Sequence, residues 1–106
     1  MATIRRYTSP TQVLIVEGVD LTSSDVYVSY TQGKLKMTYS GGDISMERDG
    51  ENTVIRVYMP QDVTAQFETR KEVEVQVNWI EDGKRNATTI AQVMVTRNLL
   101  EEVIDG

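Results

Sequence analysis

Apolar and polar residues alternate with a period of two through most of this chain, and this feature most constrains its fold. The alternation is clearest in residues 72–79, where three valines and Trp79 occupy every second position. It recurs in residues 26–30, 35–39 and 54–59. Successive side chains of a β-strand point to opposite faces, so this spacing places one set on a core and the other in water. The pattern predicts a protein built almost entirely of half-buried strands, with Trp79 in the core.

Turn-forming pairs separate the alternating runs. They are Gln32-Gly33, Gly41-Gly42, Asp49-Gly50 and Asp82-Gly83. An Asp-Gly pair flanked by alternation is a strong hairpin signal, and short turns join antiparallel neighbours. The runs between these turns predict strands over 11–17, 25–32, 34–40, 43–48, 53–59, 72–80 and 84–96, with a further short strand near 3–7.

The predicted strand over 84–96 changes phase near Ile90-Ala91, so we expect a bulge or a bend there. About seven or eight strands, with turns roughly every 8–12 residues, favour an antiparallel two-sheet β-sandwich. A small barrel is the alternative.

Residues 60–67 interrupt the alternation. Pro60 has no backbone donor, and Asp62 is a residue type that caps helices. Val63 and Phe67 are four positions apart and would share one face of a helix. We therefore predict one short helical turn near 61–67, capped by Asp62, that closes an end of the sandwich with Val63 and Phe67.

The C-terminal tail, residues 97–106, carries four apolar residues that would lie on one face of a helix. They are Leu99, Leu100, Val103 and Ile104. An exposed apolar strip of this kind is unusual on a monomer. Two interpretations remain open: the tail packs on its own domain, or it docks on a partner.

Composition limits the classes of function. The chain has 106 residues, which we interpret as one domain over 1–106, and it contains no cysteine and no histidine. Because it has no histidine, the chain cannot form a Ser-His-Asp catalytic triad. The chain has a net charge of -5, whereas proteins that bind nucleic acids need basic residues to neutralise phosphates. The longest early apolar run, Val13 to Val16, is too short for a signal peptide or a membrane span, so we expect neither.

Acidic residues supply the remaining candidates for chemistry. Glu72 and Glu74 share a strand face and resemble an acid/base pair, while Asp49, Glu51 and Asn52 cluster in a turn that offers oxygen ligands for calcium. Charged strand positions are usually solvent-exposed, and the turn lacks the spacing of a known calcium loop. We predict no catalytic residue, no metal ligand and no cofactor, and the chain is not expected to be an enzyme.

The aromatic residues fall into two groups, according to whether they share a strand face with their apolar neighbours. Trp79 is in phase with the valines of its strand, whereas Tyr27 and Tyr58 are out of phase with their apolar neighbours and are predicted to face solvent. Exposed aromatic side chains serve protein contacts or stack on sugars, so both uses remain open for Tyr27 and Tyr58.

Several strings in the chain resemble a known group of sequences. They are Arg5-Arg6-Tyr7-Thr8-Ser9-Pro10-Thr11, Val19-Asp20-Leu21-Thr22, Asp25 to Gly33, Asp62 to Phe67, Val75 to Trp79, and Asp82-Gly83-Lys84. The chain resembles small proteins encoded by phages and prophages of Gram-positive bacteria, over roughly residues 5–100. More distantly, it is similar to the N-terminal immunoglobulin-like domain of phage baseplate upper proteins.

This resemblance implies an immunoglobulin-like sandwich that serves as a structural or assembly protein of the tail or baseplate type. Its expected partners are other virion proteins and further copies of itself, without nucleic acid or membrane. Its expected location is the host cytoplasm during assembly and then the virion. The predicted contact residues are Tyr27, Tyr58, Leu99, Leu100, Val103 and Ile104. The alternative function is a β-sandwich module that binds carbohydrate or a cell surface.

Overall fold

The structure, a computed structural model, describes residues 3–104. Within that range the chain forms nine strands and one four-residue helix. The strands are β1 (Thr3–Arg5), β2 (Thr11–Val16), β3 (Asp25–Gln32), β4 (Leu35–Ser40), β5 (Ile44–Asp49), β6 (Asn52–Tyr58), β7 (Glu72–Glu81), β8 (Lys84–Ala87) and β9 (Ala91–Thr96). The helix is α1 (Gln61–Thr64), and a 3-10 turn (Gly41–Asp43) joins β4 to β5. The predicted all-β class is confirmed.

The strands form two sheets. The larger sheet has the order β1-β9-β7-β3-β4, with β8 pairing with β7 beyond the end of β9, and the smaller sheet has the order β2-β6-β5. All pairs are antiparallel except β1 and β9, which run parallel. The second, fifth and sixth strands thus face the third, seventh and ninth, as in immunoglobulin domains. The domain is an all-β sandwich of immunoglobulin-like topology, and the barrel alternative is excluded.

Two-residue hairpins form at three of the predicted turns, although the connecting residues are Gly33-Lys34 and Gly50-Glu51 at two of them, one position later than predicted. Asp82 and Gly83 both have positive φ angles, 50° and 74°, as a type I′ turn requires. The Gly41-Gly42 segment behaves differently from the prediction. It does not join neighbours but carries the chain from β4 in the larger sheet to β5 in the smaller one.

The predicted bend in the last strand is confirmed as a break between β8 and β9. Thr88 lies in the break and bonds to Val77 of β7 twice. Its amide donates to the Val77 carbonyl at 2.9 Å, and its hydroxyl accepts from the Val77 amide at 3.1 Å. Thr88 therefore replaces a regular ladder pair and holds the two short strands along one edge of β7.

The core lies between the inner faces of the two sheets. Val73, Val75 and Val77 are buried as predicted, and Trp79 packs against the core while half-buried. Burying side chains of this size contributes roughly 1.5–3 kcal/mol each. The other buried apolar residues are Ile4, Val16, Leu21, Val26, Val28, Tyr30, Val54, Ile55, Val57, Met59, Phe67, Val93 and Val95.

The short helix closes one end of the sandwich. Phe67 is buried and Val63 is half-buried against the core, as predicted. The prediction that Asp62 caps the helix is wrong. Pro60 occupies the cap position, no side chain caps the helix, and Asp62 lies in the first turn. The reason is that Pro60 holds an extended backbone, φ -69° and ψ 162°, two residues before Asp62, so the helix has already begun when the chain reaches Asp62.

Three buried polar side chains fasten loops to the sheets. Thr53 accepts from the Leu21 amide and donates to the Val19 carbonyl, both at 2.8 Å. Gln32 bonds to the main chain of Glu68 and Lys71, and Thr64 bonds to that of Thr8.

None of the helices in residues 3–104 is long and apolar enough to cross a lipid bilayer.

Candidate interaction surfaces

The tail over residues 97–104 is irregular, so the helix considered for it is not formed. Local polar bonds take the place of helical ones. The Leu100 amide donates to the Asn98 side chain at 3.2 Å, and the Asn98 amide donates to the Glu101 carboxylate at 3.3 Å. Such bonds from nearby side chains to the backbone compete with helix formation.

Two polar anchors hold the tail against the domain. Arg6 donates to the Glu101 carboxylate at 2.6 Å and to the Ala65 carbonyl at 3.0 Å. Farther along, the side chain of Gln61 bonds to both the amide and the carbonyl of Ile104. The first anchor thus joins the tail to the segments after β1 and α1, and the second joins it to α1 itself.

The anchors are polar, while the apolar side chains of the tail face solvent. Leu99 is 90% exposed, and Leu100, Val103 and Ile104 are each more than half exposed. We call these four residues the tail strip. Leu99 therefore does not pack on its own domain, the other three residues are only partly covered by it, and contact with a partner stays open. All four lie within residues 99–104, and exposed apolar residues that occur close together are typical of interaction sites.

Tyr27 and Tyr58 are both exposed, as their phase predicts, at 41% and 56%. They lie on opposite sides of the molecule, because Tyr27 belongs to β3 in the larger sheet and Tyr58 to β6 in the smaller one. The structure therefore does not bring the two tyrosines into one surface.

A surface that the sequence analysis missed lies on β2. Val13 and Ile15 point outward from the smaller sheet and are 57% and 60% exposed. Val13 pairs with Arg56 of β6, which forms a 2.7 Å ion pair with Glu47 on β5. The signal in the sequence is the unbroken apolar run from Val13 to Val16. A strand that is apolar on both faces, in a sheet with one open face, must expose half of its apolar residues.

A cleft of about 300 Å³ runs beside β2, between the two sheets, and its lining includes the break at Thr88 and Thr89. Tyr30 also lines it, and the buried Tyr30 hydroxyl has no hydrogen-bond partner within residues 3–104. The Tyr30 ring packs edge-on against Tyr39, with the centroids 5.9 Å apart. Burial, with a smaller contribution from Tyr39, raises the pKa of Tyr30 far above its ordinary value.

A shallow depression of about 320 Å³ surrounds Tyr27 on the outer face of the larger sheet. Its polar lining includes Asn78 and Arg85, which are joined by a 3.1 Å hydrogen bond. Trp79 borders the depression but packs inward on the core. Tyr27 and Ile80 are therefore the exposed apolar side chains of this depression.

The acidic candidates do not assemble into a site in the described range. Glu72 and Glu74 are both exposed on β7. At the start of β6, the Asn52 side chain is already engaged, since its carbonyl oxygen accepts from the Gly18 amide at 3.0 Å. No group of three or more acidic side chains within residues 3–104 is arranged to hold a metal ion.

No protein-family model matches this sequence, and comparison with curated proteins likewise finds no match. The fold therefore defines the class of the protein, which is an all-β sandwich of immunoglobulin-like topology.

Proposed function

We propose that this domain is a structural or assembly protein of a phage or prophage, of the tail or baseplate type, which acts by binding other proteins. The phage context comes from the resemblance of its strand and turn strings to phage-encoded proteins. The observation that carries the proposal is the tail strip, whose apolar side chains face solvent while its backbone is anchored at both ends.

The anchors make the tail strip suited to docking. Arg6 forms an ion pair with Glu101, and Gln61 forms two hydrogen bonds with Ile104. These contacts fix the path of the segment before a partner binds. A segment ordered in advance loses less conformational entropy on binding. Leu99, Leu100, Val103 and Ile104 would then form the buried centre of the contact, and the surrounding glutamates would form its polar rim.

Incorporation into particles tests this function. The protein is located in purified particles by antibody labelling or electron cryo-microscopy, first as the natural chain and then as the double variant Leu99→Ser/Val103→Ser. We expect to find the natural chain in the particle. The variant should fold normally but should be missing from the particle. Ile90→Ser is the matched control, because Ile90 is equally apolar and 56% exposed but lies outside the tail. Absence of the natural chain from particles contradicts the proposal.

A carbohydrate-binding module is the second candidate, and the depression around Tyr27 favours it. An exposed aromatic ring beside Asn78 and Arg85 offers a stacking face and hydrogen-bond donors for a sugar. Binding of cell-surface glycans is measured by chemical-shift changes, with Tyr27→Ala as the test variant and Tyr58→Ala as the control. Unchanged shifts around Tyr27 at high glycan concentration exclude this candidate.

A further inference from the structure

The outer edge of β2 is open, and its geometry shows which backbone groups face outward. The Met59 amide donates to the Pro10 carbonyl at 2.9 Å, and Gln12 pairs with Val57 two positions farther along. Backbone groups alternate sides along an antiparallel strand, so the even-numbered residues bond to β6. Thr11, Val13 and Ile15 therefore direct their amides and carbonyls to the open edge, where no other described residue pairs with them.

This edge also lacks the features that keep strand edges apart. Natural edges carry charges, prolines or bulges that block pairing with another chain. Within residues 3–104, the other edge strands each carry charge: Arg5 on β1, Lys36 on β4, Glu47, Arg48 and Asp49 on β5, and Lys84 and Arg85 on β8. The sequence of β2, Thr-Gln-Val-Leu-Ile-Val, contains neither a charge nor a proline.

We propose that the β2 edges of two copies pair antiparallel about a twofold axis at Leu14, joining the two smaller sheets into one six-stranded sheet. In this register Val13 of one copy faces Ile15 of the other, and the reverse pair forms across the axis. Both pairs use the outward-facing backbone groups, which gives about four hydrogen bonds at the centre. The outward side chains, exposed in the single chain, then become cross-strand neighbours.

The edge is self-complementary, which favours a second copy as the occupant. The amides and carbonyls of Val13 and Ile15 supply both the donors and the acceptors that an identical antiparallel edge needs, and β2 carries no charge that would repel its own copy at the contact. The twofold arrangement makes the same edge serve both sides, as in most homodimers. The tail is less suited than β2 to pair with this edge. It carries the charged residues Glu101 and Glu102, and the Ile104 amide is already hydrogen-bonded to Gln61.

This inference deepens the proposed function by naming the partner of one surface, but its test is independent of the tail strip. The first measurement is the molecular mass in solution by sedimentation, over a concentration series. We expect a dimer for the natural chain, and a dissociation constant raised at least about tenfold by Val13→Lys, which places a charge on the edge. Thr38→Lys, at an exposed position on β4 of the larger sheet, is the matched control and should leave the mass unchanged.

Cross-linking tests the register. The natural chain has no cysteine, so a single introduced thiol reports only contacts between copies. Leu14→Cys should form a disulfide-linked dimer on mild oxidation, since the two positions face each other on the axis, and Thr38→Cys should not. A monomer at millimolar concentration, a dimer unaffected by Val13→Lys, or equal cross-linking at both positions overturns the edge pairing. None of these results bears on incorporation through the tail strip.

Discussion

Gln61 and Ile104 exchange hydrogen bonds, with the Ile104 amide donating to Gln61 Oε1 at 2.9 Å and Gln61 Nε2 donating to the Ile104 carbonyl. A side-chain amide presents a donor and an acceptor side by side, so Gln61 occupies the tail backbone as a neighbouring strand would. This contact fixes the far end of the tail while the Ile104 side chain stays 53% exposed.

Replacing Gln61 by leucine should release the end of the tail while leaving the domain folded. The side chain keeps its size but loses both bonds, so the Ile104 amide should lose its protection from hydrogen exchange. Because the contact is exposed, the free energy of unfolding should change by less than about 1 kcal/mol. Gln66→Leu, on the exposed side of the same segment, is the control. Unchanged protection at Ile104 would show that the amide pair does not hold the tail.

Thr53→Val should destabilise the domain by about 2 kcal/mol, measured by urea unfolding. Valine matches the shape of threonine, but it leaves the buried Leu21 amide and Val19 carbonyl without their partner, and buried unpaired groups are costly. Thr38→Val, at an exposed position on β4, should change the free energy of unfolding by less than about 0.5 kcal/mol. Equal effects of the two substitutions contradict the assigned role of Thr53.

Tyr30→Phe should leave stability unchanged or raise it by up to about 1 kcal/mol, because it removes a buried hydroxyl that has no partner. Thermal and urea unfolding measure this directly. A loss of more than about 1 kcal/mol would mean that the hydroxyl is hydrogen-bonded in solution, for example by water in the cleft beside β2.

Stability should fall at alkaline pH because of Tyr30 and Tyr39. Burial raises the pKa of both phenols in the folded state, with Asp43 and Asp62 adding to the shift at Tyr39. The unfolded chain therefore loses these protons first, so stability is retained up to about pH 10 and decreases above it. Unfolding followed between pH 7 and pH 11 checks this, and Tyr30→Phe should reduce the decrease. A flat profile contradicts it.

The strands were predictable because their signal is local. The alternation around Val73, Val75 and Val77 depends only on neighbouring side chains, and the Asp82-Gly83 turn depends on two residues that tolerate positive φ angles. The same local logic separated Tyr27 and Tyr58 from the core. It failed for Asp62 and for the tail, because a helix cap and a short helix depend on small energy differences that neighbouring contacts decide.

Of the candidate surfaces, the sequence identified the tail strip and the two exposed tyrosines but not the β2 edge. An unbroken apolar run such as Val13 to Val16 reads equally well as a strand buried on both faces. Only the position of that strand at the border of the smaller sheet shows that Val13 and Ile15 remain exposed.

The sequence by itself determined that this protein is made of half-buried strands and which side chains of most strands face the core, because side-chain direction follows from a period of two. Tertiary structure alone decided which strands become neighbours without a hairpin between them. It pairs Thr3 with Met94 across the whole domain and separates β4 from β5, which are adjacent in the chain. These choices arise from packing between distant segments, and they determine which edges and which apolar side chains stay open to a partner.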